Sequence, residues 1–195
     1  MKFDFGNKLA NYDLYTGILA NCVFGFIMAV LMKWKGLYLT VSIIGIFVVI
    51  QRCAGLCQPL LDKLKIKLQN VIAMTMCFDI LWSLNIMIFC IFQYDFLTFL
   101  ICNMIINLFC EVGFASIGFG VNKLVAEKVD FQEYQMWQHT YSNAANLVSS
   151  GFAIILIQFV SEFSIMFIGG LLNLSYQFLA WQVRKEIIKQ EIKNV

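Results

Sequence analysis

Asn103, Asn107 and Glu111 recur every fourth residue, and so do Thr75, Asp79 and Ser83. On a helix that spacing stacks side chains on one face. The first set joins two amides to a carboxyl, and Ala115 and Gly118 continue it; the second joins a carboxyl to two hydroxyls. Such groups can carry a proton or cation, or accept the hydroxyl of a sugar. They can also form a neutral hydrogen bond to a neighbouring helix. Weaker stripes follow: Gly17, Asn21, Gly25 and Ala29, and Gly169, Asn173 and Gln177, four apart; and Asn143, Asn146 and Ser150, at spacings of three and four. The second of the long apolar runs is poorer, with only Ser42 and Gly45.

The surroundings are apolar. Of 195 residues, 61% are hydrophobic and 13% charged, and mean hydropathy is +0.77. Soluble domains carry roughly 25% charged residues. Long apolar runs recur along the chain, as membrane-crossing helices require. The expected fold class is an all-α membrane protein of six transmembrane helices: about 15–32, 37–51, 70–92, 96–121, 141–160 and 163–181. A segment 1–14 precedes this domain of residues 15–181, and a tail, 182–195, follows it with the alternation of a surface helix. Gln93, Tyr94 and Asp95 form a tight turn, as does Lys33 to Gly36, while the loop 122–140 is long. The charge alternation before Tyr15 and the lack of a small-residue cleavage site leave the first helix in the mature protein.

A polar group facing lipid is costly, so the stripes should face one another or a watery cavity. A mid-span acid costs about 2.5–3.5 kcal/mol on insertion scales, which singles out Asp79 and Glu111. The expected cavity lining is Asn103, Asn107, Glu111, Asp79, Asn143 and Asn146.

Twelve of the 14 Lys and Arg residues fall on the side of the N-terminus, leaving Lys33 and Lys35 opposite. Positive charge collects in the cytoplasm. This puts both termini there, in a multi-pass protein of the plasma membrane. Tyr12, Tyr15, Trp34, Tyr38, Tyr94, Tyr141 and Trp181 sit near span ends, as an interfacial belt would.

Other classes are set aside. A net charge of +2 and no basic run interleaved with aromatics argue against nucleic acid. No phosphate loop is present. The seven cysteines make no C-x-x-C pair and read as small buried hydrophobes rather than a disulfide framework or metal site. The single histidine, His139, has no nucleophile–acid constellation beside it in the sequence, so no enzyme activity is expected.

Six helices with both ends cytoplasmic and a basic loop after the second resemble one half of a major facilitator transporter. Gly55-Leu-Cys-Gln-Pro-Leu-Leu-Asp-Lys-Leu-Lys-Ile-Lys67 is similar to that superfamily's loop between second and third helices. Ala126-Glu-Lys-Val-Asp-Phe-Gln-Glu-Tyr134 resembles the Ala-Asp-x-Val-Asp-Tyr-x-Glu loop of the glycoside–pentoside–hexuronide cation symporters, the melibiose permease family. Gly113 to Gly120 resembles that family's tenth helix, and Ala144 to Ala153 its eleventh. Glu127 stands where the family has Asp, His139 where its loop reaches an arginine, and a lysine of its eleventh helix is replaced near Ala153.

The resemblance implies helices seven to twelve of a sugar–cation symporter, a half-size or truncated transporter of small carbohydrates. It also implies a second six-helix half or a second copy as partner. No organic cofactor or metal is expected, and symport implies a coupling ion, H+ or Na+. The family's cation-binding acids lie in the half this chain lacks, so no cation site carries over. Asp130, Glu133 and His139 would form a cytoplasmic gate loop. The alternative is a non-transporting membrane assembly or regulatory subunit.

Overall fold

A computed structural model describes residues 4–56 and 67–193. Cys57, Asp62, Lys63 and Lys65, and with them the basic loop after the second helix, lie outside the described residues. All regular structure among those described is helical: α1 Lys8–Lys35, α2 Leu37–Leu56, α3 Leu68–Phe92, α4 Phe96–Ala126, α5 Phe131–Leu156 and α6 Glu162–Lys193. Four of these, α1, α3, α4 and α6, are long and apolar enough to cross a membrane. α2 holds a shorter apolar stretch, Tyr38–Ile50. α5 does not reach the hydropathy of a span, because Gln132, Glu133, Gln135, Gln138, His139, Asn143 and Asn146 dilute its first four turns. The expected fifth span is therefore a helix of mixed polarity.

Turn chemistry sets the boundaries. Gly36 closes α1 at φ 79°, its N–H bonded to the carbonyl of Met32. That left-handed angle suits glycine, and one residue suffices to reverse the chain. Gln93 ends α3 in the left-handed region, at φ 47°. Asp95 then caps α4 by accepting the N–H of Thr98 at 2.8 Å, so the turn 93–95 lies where the sequence places it.

The polar stretch after the fourth helix differs from expectation. α4 continues to Ala126, and α5 begins at Phe131, where Asp130 accepts the N–H groups of Gln132 and Glu133, each at 3.1 Å. The loop 122–140 thus shrinks to residues 127–130. Gln, Glu and Met are good helix formers and Asp is a good cap; the polarity reflects where the helix lies, not a break in it. α6 continues from the expected sixth span into the tail as far as Lys193, the last described residue.

Packing is centred on α1 and α4. α1 lies against α5, α6 and, more lightly, α2 and α4; α4 lies against α3 and α2; α3 lies against α6. Exchanging α1–α3 with α4–α6 turns α1·α5 into α4·α2 and α1·α6 into α4·α3, and leaves α3·α6 and α1·α4 unchanged. The correspondence is one of pattern: α4·α2 is much slighter than α1·α5, and the light α1·α2 contact has no counterpart as developed. The start of α1 and the end of α4 share one apolar cluster, and the end of α1 and the start of α4 share the other. The two halves are therefore of opposite sense.

The two clusters occupy opposite ends of the bundle. One gathers Leu9, Ala10, Ile72, Val121, Val125, Tyr134, Val183 and Ile187. The other gathers the end of α1 with Ile86, Phe89, Phe99, Ile165 and Met166, around a knot of rings in which Trp34 meets Phe89, Phe96 and Phe163 at centroid distances of 5.1–5.6 Å. Trp34 is half-buried against these rings at the end of α1, whereas Tyr141 is buried, which removes Tyr141 from the expected interfacial belt. Cys90 and Cys110 are buried, but Cys53 and Cys77 are exposed, so the reading of cysteines as buried hydrophobes holds for only part of the set.

Candidate functional site: a polar chamber between two apolar ends

Close helix contact creates the middle layer. A Cβ on Gly25 would lie 2.1 Å from Ser149 Oγ and 2.7 Å from the carbonyl oxygen of Asn146, so α1 and α5 meet only because position 25 lacks a side chain. Gly113 plays the same part for Thr75 across α4 and α3, at 1.8 Å from its Oγ1. Ser150 Oγ donates to the carbonyl of Gly25 at 3.3 Å, tying the first seam.

Between these seams lies a cavity of about 460 Å³, lined by Asn21, Phe24, Asp79, Trp82, Asn107, Glu111, Asn146, Asn173 and Tyr176 among others. Five helices contribute to its wall. Toward the Trp34 end it adjoins a narrower apolar cavity of about 90 Å³; Phe24, Trp82, Asn107 and Glu111 line both, and Asn103 lines the narrower one. Toward the other end it adjoins a third cavity of about 190 Å³, which shares Ala20, Phe114 and Tyr176 with it and contains Asp13 and Gln138. A line of adjoining cavities runs along the bundle, with its polar lining concentrated in the middle one.

The densest polar contacts join α3 to α6. Asn173 Nδ2 donates to Asp79 Oδ1 at 3.1 Å and to Ser83 Oγ at 2.7 Å. Gln177 Nε2 donates to Asp79 Oδ2, and the Tyr176 hydroxyl also bonds the carboxyl. Asp79, Ser83, Asn173, Tyr176 and Gln177 are all buried. Buried polar groups persist where they are bonded to one another. The cluster accounts for the sequence spacing: residues 79 and 83 lie one turn apart on α3, as do 173 and 177 on α6.

Asn103 is buried; its Nδ2 donates to the carbonyl of Phe99 at 3.0 Å while its Oδ1 has no protein partner. Asn107 Nδ2 and Trp82 Nε1 are likewise buried without a protein acceptor. Two donors and one acceptor on cavities that Glu111 and Phe24 also line suit a small ligand with hydroxyl groups.

The sequence-selected residues divide. Asn103, Asn107, Glu111, Asp79 and Asn146 line the chamber or its narrow extension. Asn143 does not; its side chain is exposed. Asp130 is a helix cap, and Glu133 and His139 lie on α5 rather than in a loop.

At that end the internal contact is made instead by Asp13 of α1, which accepts from the Tyr134 hydroxyl and from Gln138 Nε2, the latter at 3.0 Å. Burial together with the nearby Asp13 carboxylate drives the Tyr134 phenol well above its ordinary pKa, so it serves as a donor at any physiological pH. Asp13 and Tyr176 are the residues that sequence reasoning missed. Asp13 lies one turn before Gly17 on the same stripe, which is the signal that would have found it. Tyr176 carries no such signal beyond its place beside Asn173 and Gln177.

Among the described residues no group of three or more His, Cys, Asp or Glu side chains could hold a metal ion. No family model, no curated protein and no solved structure matches this chain.

Proposed function

We propose that the chain is one six-helix half of a secondary transporter of the sugar–cation symporter type, acting with a second half that is separately encoded or a second copy. It moves small carbohydrates across the plasma membrane by alternating access, with both termini in the cytoplasm. The observation that carries the reading is the packing pattern: two three-helix units of opposite sense, related by exchange of α1–α3 with α4–α6. Inverted three-helix repeats of this kind build each half of the major facilitator fold, with substrate held near the midplane where repeats meet.

The chamber agrees with that use. It lies between two apolar plugs, either of which could part while the other stays packed. Amides, a carboxyl and aromatic rings are the groups that recognise hydroxylated neutral ligands. The Ala126–Tyr134 segment supplies the resemblance to the melibiose permease family.

The test is uptake of a radiolabelled disaccharide into proteoliposomes holding this chain alone, or with the six-helix product of a neighbouring reading frame. Uptake that Glu111→Gln reduces at least about tenfold supports the reading, since the group would contact substrate or couple its movement. No uptake under either condition overturns it in favour of a non-transporting assembly or regulatory subunit.

A further inference from the structure

The seam between α3 and α6 holds more oxygen than a carboxyl needs. Around the Asp79 carboxylate stand its own main-chain carbonyl, the hydroxyls of Ser83 and Tyr176, and the amides of Asn173 and Gln177. None of these partners is cationic. A carboxylate in a low-dielectric interior requires either a proton or a positive partner. Gln177 adds an independent sign: it is 7% exposed, it bonds Asp79 through Nε2, and its Oε1 has no protein partner. A buried carbonyl oxygen left unmatched within such a cluster points to something it is meant to meet.

We infer that Asp79, Ser83, Asn173, Tyr176 and Gln177 form a binding site for a single alkali cation of the sodium class. Hard cations take oxygen ligands from carboxylates, side-chain amides and backbone carbonyls. A half-turn of the Asn173 and Gln177 amides exchanges N–H for C=O without changing their shape. The N–H groups satisfy the carboxylate when the site is empty, and the oxygens turn to the cation when it is filled. One carboxylate balances one positive charge; a divalent ion would leave a net charge buried, which the interior does not tolerate. Access is open, since Asp79, Asn173 and Tyr176 line the central chamber.

The titratable groups facing Asp79 are Tyr176 from α6 and, from α4, Cys110 and Glu111. The chamber-lining residues of α1, namely Ala20, Asn21, Val23 and Phe24, carry none. Glu111 on the same chamber draws a cation inward.

The inference rests on the transport reading only for its use as a coupling site. Binding is measured with no sugar present, so either can fail while the other stands. The purified full chain in detergent is melted over a range of NaCl concentrations, with choline chloride holding ionic strength constant. A ligand that binds only the folded state raises the midpoint, and above its Kd the rise follows the logarithm of its concentration. Sodium is expected to raise it and choline not. Asp79→Asn abolishes the dependence, Ser83→Ala requires about ten- to hundredfold more sodium, and Ser42→Ala on exposed α2 behaves as the parent.

Equal protection by choline, or sodium protection that survives Asp79→Asn, overturns the site. So does a midpoint that follows pH but not sodium, which would make Asp79 a proton carrier. Should Asp79→Asn fail to fold, Ser83→Ala carries the test: an unchanged sodium dependence overturns the inference.

Discussion

The hydroxyl of Tyr134, in the first turns of α5, donates to the carboxylate of Asp13 in α1, 121 residues away in sequence. Gln138, one turn further along α5, donates to the same oxygen. The pair joins the two helices at the end of the bundle where the chain starts, just above the apolar cluster that includes the Tyr134 ring itself. That ring also meets Phe5 edge-on at 5.4 Å and Phe131 at 6.5 Å, so packing and hydrogen bonding can be separated by substitution.

Tyr134→Phe keeps the ring and removes the donor. Asp13 retains Gln138, so the loss is one charge-assisted hydrogen bond, about 1.5–3 kcal/mol. The thermal midpoint in detergent falls, and adding Gln138→Leu lowers it further by more than Gln138→Leu does in the parent, because the last donor then disappears. Strict additivity of the two substitutions would show that they do not share Asp13.

Gly25 and Gly45 give opposite outcomes for the same change. Alanine at 25 drives a methyl group to 2.1 Å from Ser149 Oγ and 2.7 Å from a backbone oxygen of α5, which cannot step aside. The α1–α5 seam must open, at a cost of about 1–3 kcal/mol. Around Gly45, on α2, nothing stands within 4 Å of the added carbon, and alanine gains helix propensity there, up to about 1 kcal/mol. Unfolding midpoints of Gly25→Ala and Gly45→Ala should move to opposite sides of the parent. A neutral Gly25→Ala would show that α1 and α5 are not held at this distance.

These contacts mark what the sequence could and could not convey. The four-residue stripes of α3 and α6 were legible because a buried polar face on an apolar helix stands out against its neighbours, and Asp79, Ser83, Asn173 and Gln177 do meet. The turn at 93–95 was legible because Gln93 and Asp95 interrupt continuous apolar sequence. Asp13 was hidden by its setting: among Lys8, Asn11 and Tyr12 it reads as one more surface charge, and only its register with Gly17 and Asn21 says otherwise. Residues 131–140 were misread for the opposite reason. Their polarity suggested a loop, although Asp130 caps them into a helix whose Tyr134 and Gln138 face inward. Asn143 was placed by spacing with Asn146, but three residues turn a helix by about 300°, enough to put one amide in the chamber and the other outside.

Asp95 supplies a pH dependence whose sign can be worked out. Its carboxylate accepts the backbone N–H of Thr98 at 2.8 Å and, secondarily, the Thr98 hydroxyl at 3.1 Å. The backbone bond is the larger cause and the side-chain bond the next, and together they hold the pKa below the ordinary aspartate range. A folded-state pKa lowered in this way gives stability that is present above the unfolded value, near 3.9. That stability is lost as pH falls through the folded value. Asp95→Asn keeps a capping oxygen but cannot titrate. The difference in midpoint between parent and Asp95→Asn, followed from pH 6 downward, should be constant at first and then shift against the parent as the carboxyl takes up its proton. Since the group is fully exposed, added salt should shrink the shift. A difference that stays level to the lowest pH at which both proteins fold would mean that the charge of Asp95 plays no part in starting α4, and that its oxygen acts only as a neutral cap.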